Sequence, residues 1–452
     1  MSQQRHPGRI GENAVVIGAS MAGLCAARVL ADRFDHVTVL DRDSLPDSPT
    51  WRNRVPQGRH PHLLLAAGAR LIEDWFPGII DELYAGGAVE IDLTADMHWH
   101  QGGGLARRPP SSLRGPSMSR PYLELTVRRR LTSMPNVSIR GDTDVQGVTL
   151  DDTGRVVAVQ LDDHSLPCEL VVDATGRQAH TLSWLEQLGY PQPAISRVEV
   201  NTRYVTQELA RHEHPERDWK AAGVIDEPAA KRLAMALPVE GDRWLVVFGG
   251  VHGEAAPGDA GERLAYARTL PSPVIAQLLE ESDPLTEPVT HRFPASQRRH
   301  VERLKRFPLG WVLLGDAIGS FNPIYGQGMT AAAQQAAALA EALDRQGQID
   351  ARFARRYFKA ASRVVNLAWS TAVGSDFVYA ETTGPKPPGT DLINRYMNRV
   401  TVAAQHDDAV SLRFTEVVAM VRKPESLLTP AFILRVLRSQ RPSGTTHVTK
   451  PV

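Results

Sequence analysis

The most constraining stretch of this chain is a glycine-bearing turn set between a short strand and a helix. Residues 14–17 are an apolar run of the kind that forms a strand buried on both faces. Gly18-Ala19-Ser20-Met21-Ala22-Gly23 follows, then an Ala-rich stretch with helical spacing over 24–33, then a second strand over 36–40 that ends at Asp41. Together these form a βαβ unit. A tight turn after a buried strand needs a residue without Cβ, which Gly18 supplies, and Gly23 lets the helix start close to the strand. The backbone N–H groups around Ser20, Met21 and Ala22 then point at an anion such as a pyrophosphate. Ser20 stands where a G-x-G-x-x-G fingerprint has its second glycine, and its hydroxyl is expected to reach a phosphate. Asp41 is placed to accept hydrogen bonds from an adenosine ribose. A packed turn without a ligand is the plain alternative, but strand, helix and terminal acid together favour a dinucleotide.

NAD and FAD both use such a unit, so a second signal has to choose. Residues 170–177 are another apolar strand running into a small-residue turn, Asp173-Ala174-Thr175-Gly176-Arg177. Far downstream, residues 311–314 lead into Gly315-Asp316-Ala317. The loop Phe321-Asn322-Pro323-Ile324-Tyr325-Gly326-Gln327-Gly328-Met329 follows, and then an Ala-rich helix to about 346. Asp316 is suited to a polyol chain such as ribityl. The positive helix end at Gly328, Met329 and Thr330 suits negative charge on a reduced flavin ring. This pattern favours FAD.

Elsewhere, period-two patterning marks strands over 137–140, 144–150, 156–161 and 170–172, with a hairpin turn at Asp151-Asp152-Thr153-Gly154. Strands of a second sheet are expected over 198–206 and 244–248, with loop over 249–250 and 253–262. Helix is expected over 352–376 and 391–438. Gly384-Pro385-Lys386-Pro387-Pro388-Gly389 between them reads as a stiff crossing loop. The fold class is therefore α/β: a discontinuous Rossmann-like FAD-binding domain (10–85, 117–185 and 296–346), an inserted mixed β-sheet substrate domain (86–116 and 186–295), and a C-terminal helical region (347–452).

Composition removes other classes. Lys and Arg number 51 against 51 Asp and Glu, a net charge of 0, so the basic excess of a nucleic-acid binder is missing. Hydrophobic residues make up 42% of the chain, too many for a disordered one. No apolar run has the roughly 18–20 residues of a membrane span, and residues 1–13 carry no apolar signal segment. Two cysteines, Cys25 and Cys168, fit a reducing cytoplasm. His60 and His62 are two residues apart and His212-Glu213-His214 reads as a solvated loop, so no metal site is expected.

At four segments the chain resembles the class A FAD-dependent monooxygenases, and within them the FAD-dependent epoxidases of bacterial polyether polyketide pathways. The segments are Val55-Pro56-Gln57-Gly58-Arg59-His60-Pro61-His62, Asp173-Ala174-Thr175-Gly176-Arg177, Leu188-Gly189-Tyr190-Pro191, and 321–329 as written above. The 384–389 loop adds to them. The resemblance implies that Arg42 and Arg120 lie near the FAD phosphates and that His60 and His62, with Arg54 and Arg59 beside them, face the flavin or its entry. It also places Pro323 and Gly326 with the two histidines at the reacting centre. The class A pattern usually has Gly after the Asp of the second segment; here Ala174 stands there.

The implied reaction is epoxidation of an alkene by a flavin C4a-hydroperoxide formed with O2, which needs no protein nucleophile. An apolar tunnel for the substrate would be built from 198–250, 90–115 and the C-terminal helices. Aromatic hydroxylation is the rival, with His60 or His62 as base for a phenol. An isoprenoid reductase, or a flavin-binding protein without turnover, also fits. Halogenation is disfavoured, because Met97-His98-Trp99-His100 is all that answers to the W-x-W-x-I-P motif. No second G-x-G-x-x-G unit is found, so NAD(P)H would bind transiently or a partner flavin reductase would deliver electrons.

Overall fold

The computed structural model describes residues 9–52, 54–254 and 256–439. At its centre is a five-stranded parallel sheet in the order Trp311–Leu313, Leu170–Asp173, Gly11–Ile17, Phe34–Leu40, Val137–Arg140. Successive side chains of a strand point to opposite faces, and the sheet divides accordingly. Val16, Val172 and Val312 enter one core with Leu24 and Leu30 of the helix Met21–Ala31 and Leu339 of the helix Gly328–Gln346. Val15, Val171 and Trp311 enter a second core on the opposite face. There Val159 and Trp184 join them, under a three-stranded antiparallel sheet of Gly147–Leu150, Val156–Gln160 and Ser165–Pro167. Burial on both faces explains why these strands read as continuous apolar runs.

The C-terminal helical region expected over 347–452 opens with the helix Ala351–Asp376, which packs on the central sheet. Phe353, Tyr357, Ala361, Val365, Ala368 and Ala372, at helical spacing, are buried in the first core, and the Tyr357 hydroxyl donates to the Leu313 carbonyl at 2.7 Å. This helix carries its C-terminal end to the flank of the candidate site.

The inserted part is an eight-stranded mixed sheet in the order Gly319–Ser320, Val289–Arg299, Ile195–Ala210, Arg243–Gly250, Arg232–Val239, Ala221–Ile225, Met97–Gln101, Gly104–Leu105. Both expected strands lie inside longer ones. The expected loop over 253–262 is shorter than its sequence suggests, because the helix Ala260–Arg268 begins within it; Asp259 caps that helix by accepting from the Gly261 and Glu262 N–H groups. That helix and Val274–Glu281 cover the outer face of the sheet. The helices Thr390–Ala404, Asp408–Val418 and Pro430–Ser439 pack on one another around Val400, Val410, Phe432 and Val436. They attach to the sheet where Gln405 donates to the Gln101 and Gly102 carbonyls at 3.0 and 2.9 Å.

Candidate cofactor and substrate site

The glycine turn has the geometry its sequence demands. Gly18 has φ +105, and a Cβ there would stand 2.7 Å from the Ala174 carbonyl oxygen; a Cβ on Gly23 would stand 1.7 Å from the Gly18 oxygen. Strand and helix start therefore lie too close for any side chain at either position. Asp41 closes the turn from the second strand. Its Oδ2 accepts from the Ala19 N–H at 2.6 Å and its Oδ1 from the Asp43 N–H at 2.9 Å.

A buried ion network continues from Asp41. Arg52 donates to Asp41 Oδ2 and to Glu124 Oε2, both at 3.0 Å. Glu124 Oε1 accepts from Arg120 Nε at 2.8 Å and from the Ser20 hydroxyl at 2.7 Å. Arg120 also donates to Ser20 Oγ at 2.6 Å and meets His62 Nε2 at 3.2 Å. Burial pushes the Glu124 carboxyl up, but Arg120 and Arg52 outweigh it and hold the group at about 2. The Ser20 hydroxyl thus donates to Glu124 while Ser20 lines the cleft. Arg52 and Glu124 were missed, because no local pattern marks a pair 72 residues apart.

The two histidines lie next to this network. His62 Nδ1 is 2.7 Å from the His60 carbonyl, which only accepts, so Nδ1 carries the proton and Nε2 receives the Arg120 N–H. His60 Nδ1 meets Thr206 Oγ1 at 2.7 Å, while its buried Nε2 has no partner among the described residues. Burial, then His291, His62 and Arg59, lower His60 to about 3; burial, then Arg120, lowers His62 to about 3. Both rings are neutral and weakly basic at neutral pH. The expectation that one of them serves as base for a phenol does not fit these surroundings.

Two cavities meet at this point. A cleft is lined by Gly18, Ser20, Met21, Ala22, Asp41, Arg42, Arg54, Arg120, Asp316, Gly328 and Met329. Arg42 and Arg54 are exposed, with Arg54 3.7 Å from Asp43. Gly23 and Gly315 are buried, the Gly315 N–H donating to Gln335 Oε1 at 3.0 Å. The Asp316 carboxyl is raised by burial, against the pull of Arg120, Arg177 and Arg299. Gln327 Oε1 and Thr330 Oγ1, at the start of the helix Gly328–Gln346, are buried without partners among the described residues. A free helix end and a carboxyl facing the cleft are what a dinucleotide with a polyol linker requires, while Gln327 lies toward the second cavity and Thr330 is fully buried. Asp173, by contrast, is spent on structure, accepting from the Thr175 N–H at 3.0 Å, the Thr175 hydroxyl at 2.6 Å and Thr181.

The second cavity has a volume of ≈ 940 Å³. Its walls include Leu63, Met97, Trp99, Leu233, Met235, Leu237, Val247 and Tyr325, with Met397 and Leu427 from the C-terminal part. His60 lines it. Gln57, Pro61, His62, Pro323 and Gly326 line both cavities and form their junction.

Comparison with known proteins bears on this arrangement. The family description "FAD binding domain" matches residues 12–366. Protein Rv3254 of Mycobacterium tuberculosis is 33% identical over 414 residues, covering 86% of this chain and 87% of that protein. The kynurenine 3-monooxygenase of Cytophaga hutchinsonii is 26% identical over 204 residues, 43% of this chain and 41% of that enzyme. The crystal structure of p-nitrophenol 4-monooxygenase PnpA from Pseudomonas putida DLL-E4 superposes with a TM-score of 0.63 at 18% identity, over 90% of this chain and 98% of that one. This last likeness shows the fold, a parallel sheet with an inserted mixed sheet and C-terminal helices.

Proposed function

This chain belongs to the FAD binding domain family, and from that premise we propose that it is an FAD-dependent monooxygenase that epoxidises an alkene of a bulky apolar natural product of polyketide or terpenoid type. The observation that carries the reading is the junction: a large chamber with mainly apolar walls meets the dinucleotide cleft at His62, Pro323 and Gly326. Once bound and reduced, FAD supplies the activation of O2.

The residues of the chain hold, orient and exclude water. In this reading the helix start at Met21 and Ala22, with Arg42, Arg54 and Arg120, holds the pyrophosphate, and Asp41 orders the turn while facing the ribose. Asp316 takes the ribityl hydroxyls, and the N–H groups of Gly328 and Met329 meet the edge of the ring system. Pro323 stiffens the loop at the junction, and Gly326 lets it turn there through a left-handed backbone (φ +64). His60 and His62, kept neutral by burial, form an uncharged wall there. An alkene needs no base, and the junction offers none of useful strength. Electrons come from NAD(P)H or a partner flavin reductase.

Aromatic hydroxylation is the second reading, supported by the similarity to a kynurenine 3-monooxygenase. It requires a base other than His60 or His62. The test is incubation of the FAD-loaded protein with NAD(P)H or a flavin reductase, 18O2, and a panel of polyene and phenolic compounds. One 18O gained in an acid-labile epoxide is the expected product. A labelled phenol, with polyenes untouched, would replace the first reading by the second.

A further inference from the structure

Four polar side chains meet in the wall of the chamber, beside the histidines, the Tyr204 ring lying 6.2 Å from that of His60. Asp376, the last residue of the helix Ala351–Asp376, is fully buried (0% exposed). Its Oδ1 accepts from Asn322 Nδ2 at 2.9 Å and from the Tyr325 hydroxyl at 3.1 Å, while its Oδ2 is buried without a partner among the described residues. Asn322 in turn accepts from the Tyr204 hydroxyl at 2.5 Å. Tyr204 and Tyr325 both line the chamber. Asn322 and Tyr325 belong to the same loop as Pro323 and Gly326, so the network is built into the junction.

The two tyrosines differ in freedom. Tyr204 is fixed by a short bond to a group that accepts from it. Tyr325 donates to a carboxyl that can itself carry a proton. When Asp376 is ionised, the Tyr325 O–H must point at it. When Asp376 is protonated on Oδ1, that proton bridges to the phenol oxygen, Oδ1 still accepts from Asn322, and the Tyr325 O–H turns to the chamber. A buried carboxyl left without a cationic partner favours the protonated form.

We propose that Tyr325 is the substrate-contacting donor of the chamber and Asp376 its positioning residue, so that the chamber selects an apolar molecule bearing one accepting oxygen, a carbonyl or ether, over a pure hydrocarbon. This rests on the reading of the chamber as the substrate site. The titratable groups facing Asp376 are Tyr325 from the loop, Tyr204 from the strand Ile195–Ala210, and Tyr379 just beyond its own helix. All three tyrosines are shifted upward, first by burial, and stay protonated. Burial raises Asp376 to about 7, against its bonds from Asn322 and Tyr325. The donor form therefore prevails below neutrality and fades above it.

The test uses the FAD-loaded protein and two probes, geranylacetone, an apolar ketone, and β-farnesene, a hydrocarbon. Binding is measured at about pH 6 and about pH 8.5, on either side of the Asp376 transition. Ketone affinity is expected to be about tenfold higher at the lower pH, the worth of one hydrogen bond, with the hydrocarbon unchanged. Tyr325→Phe should bring the ketone to its weak level at both pH values and leave the hydrocarbon alone. Asp376→Asn should abolish the pH step. Ketone binding that ignores both pH and Tyr325→Phe, with the hydrocarbon still bound, overturns the proposal and leaves the chamber intact. Failure of both probes to bind overturns the chamber reading and this proposal with it. Should the variants not fold, infrared spectra of the wild-type protein decide. A carbonyl band of bound geranylacetone that lies at lower frequency at about pH 6 than at about pH 8.5 supports the assignment, and a band that does not move with pH refutes it.

Discussion

Glu124 shows how much of the candidate site hangs on single side chains. It is 4% exposed and lies between two arginines. Its removal leaves Arg120 with uncompensated charge in the interior and Arg52 with Asp41 as its remaining partner, at a cost of about 3 kcal/mol. Glu124→Gln is therefore expected to lower the urea midpoint with the slope of the transition preserved, and to release Ser20 and loosen FAD. Asp316→Ala makes the complementary case: fold stability should hold while FAD retention drops, read as flavin per chain after gel filtration. The histidines predict a pH dependence. Their folded values lie near 3, below the ordinary 6.5. Between those limits the unfolded chain binds protons that the folded chain refuses. Stability is thus full above about 6.5 and falls with pH toward 3, at about 1.4 kcal/mol per pH unit for each histidine. Urea unfolding across that range should show the slope, and His60→Gln with His62→Gln should flatten it. Residues fixed by local geometry, Gly18 and Gly23 above all, were readable from the sequence. Arg52, Glu124 and Asp376 were not, because each acquires its role from a partner far along the chain.

At the scale of elements, legibility followed periodicity. The strands around 14–17, 36–40 and 170–172 announced themselves by continuous apolar runs, and the helix Gly328–Gln346 by its alanines. The strand Met97–Gln101 did not: Met97 and Trp99 alternate with His98 and His100, but the run is only five residues long, and its parallel pairing with Ala221–Ile225 fixes it as a strand. The helix Ala351–Asp376 was legible as a helix but not as part of the first core, because an amphipathic pattern does not say which partner it will meet. The strand Arg232–Val239 faces the chamber with Leu233, Met235 and Leu237. Filling the space there tests the role of that face: Met235→Trp should weaken binding of apolar alkenes at least severalfold, measured by titration, while FAD content remains one per chain. An equal loss of flavin would show that cleft and chamber are not separable as described.

For the whole molecule, the balance of 51 cationic against 51 anionic side chains matches a chain that meets its ligand's charge locally. Arg42, Arg54, Arg120 and a helix end gather at one cleft, while Glu124 and Asp41 compensate the arginines behind it. The central sheet is assembled from segments spread between Gly11 and Leu313, so the cleft forms when distant strands pair. The tunnel expected from 198–250, 90–115 and the C-terminal helices named part of the chamber wall; residues 57–65 and 323–327, which join it to the cleft, complete it. No helix among the described residues is long and apolar enough to cross a membrane. The most direct test of the account is reconstitution of the purified protein with FAD, followed by titration with an apolar polyene while the flavin spectrum is recorded. The account predicts a yellow protein with one FAD per chain whose absorption bands shift saturably as the polyene fills the chamber. A colourless protein that takes up no flavin would contradict it.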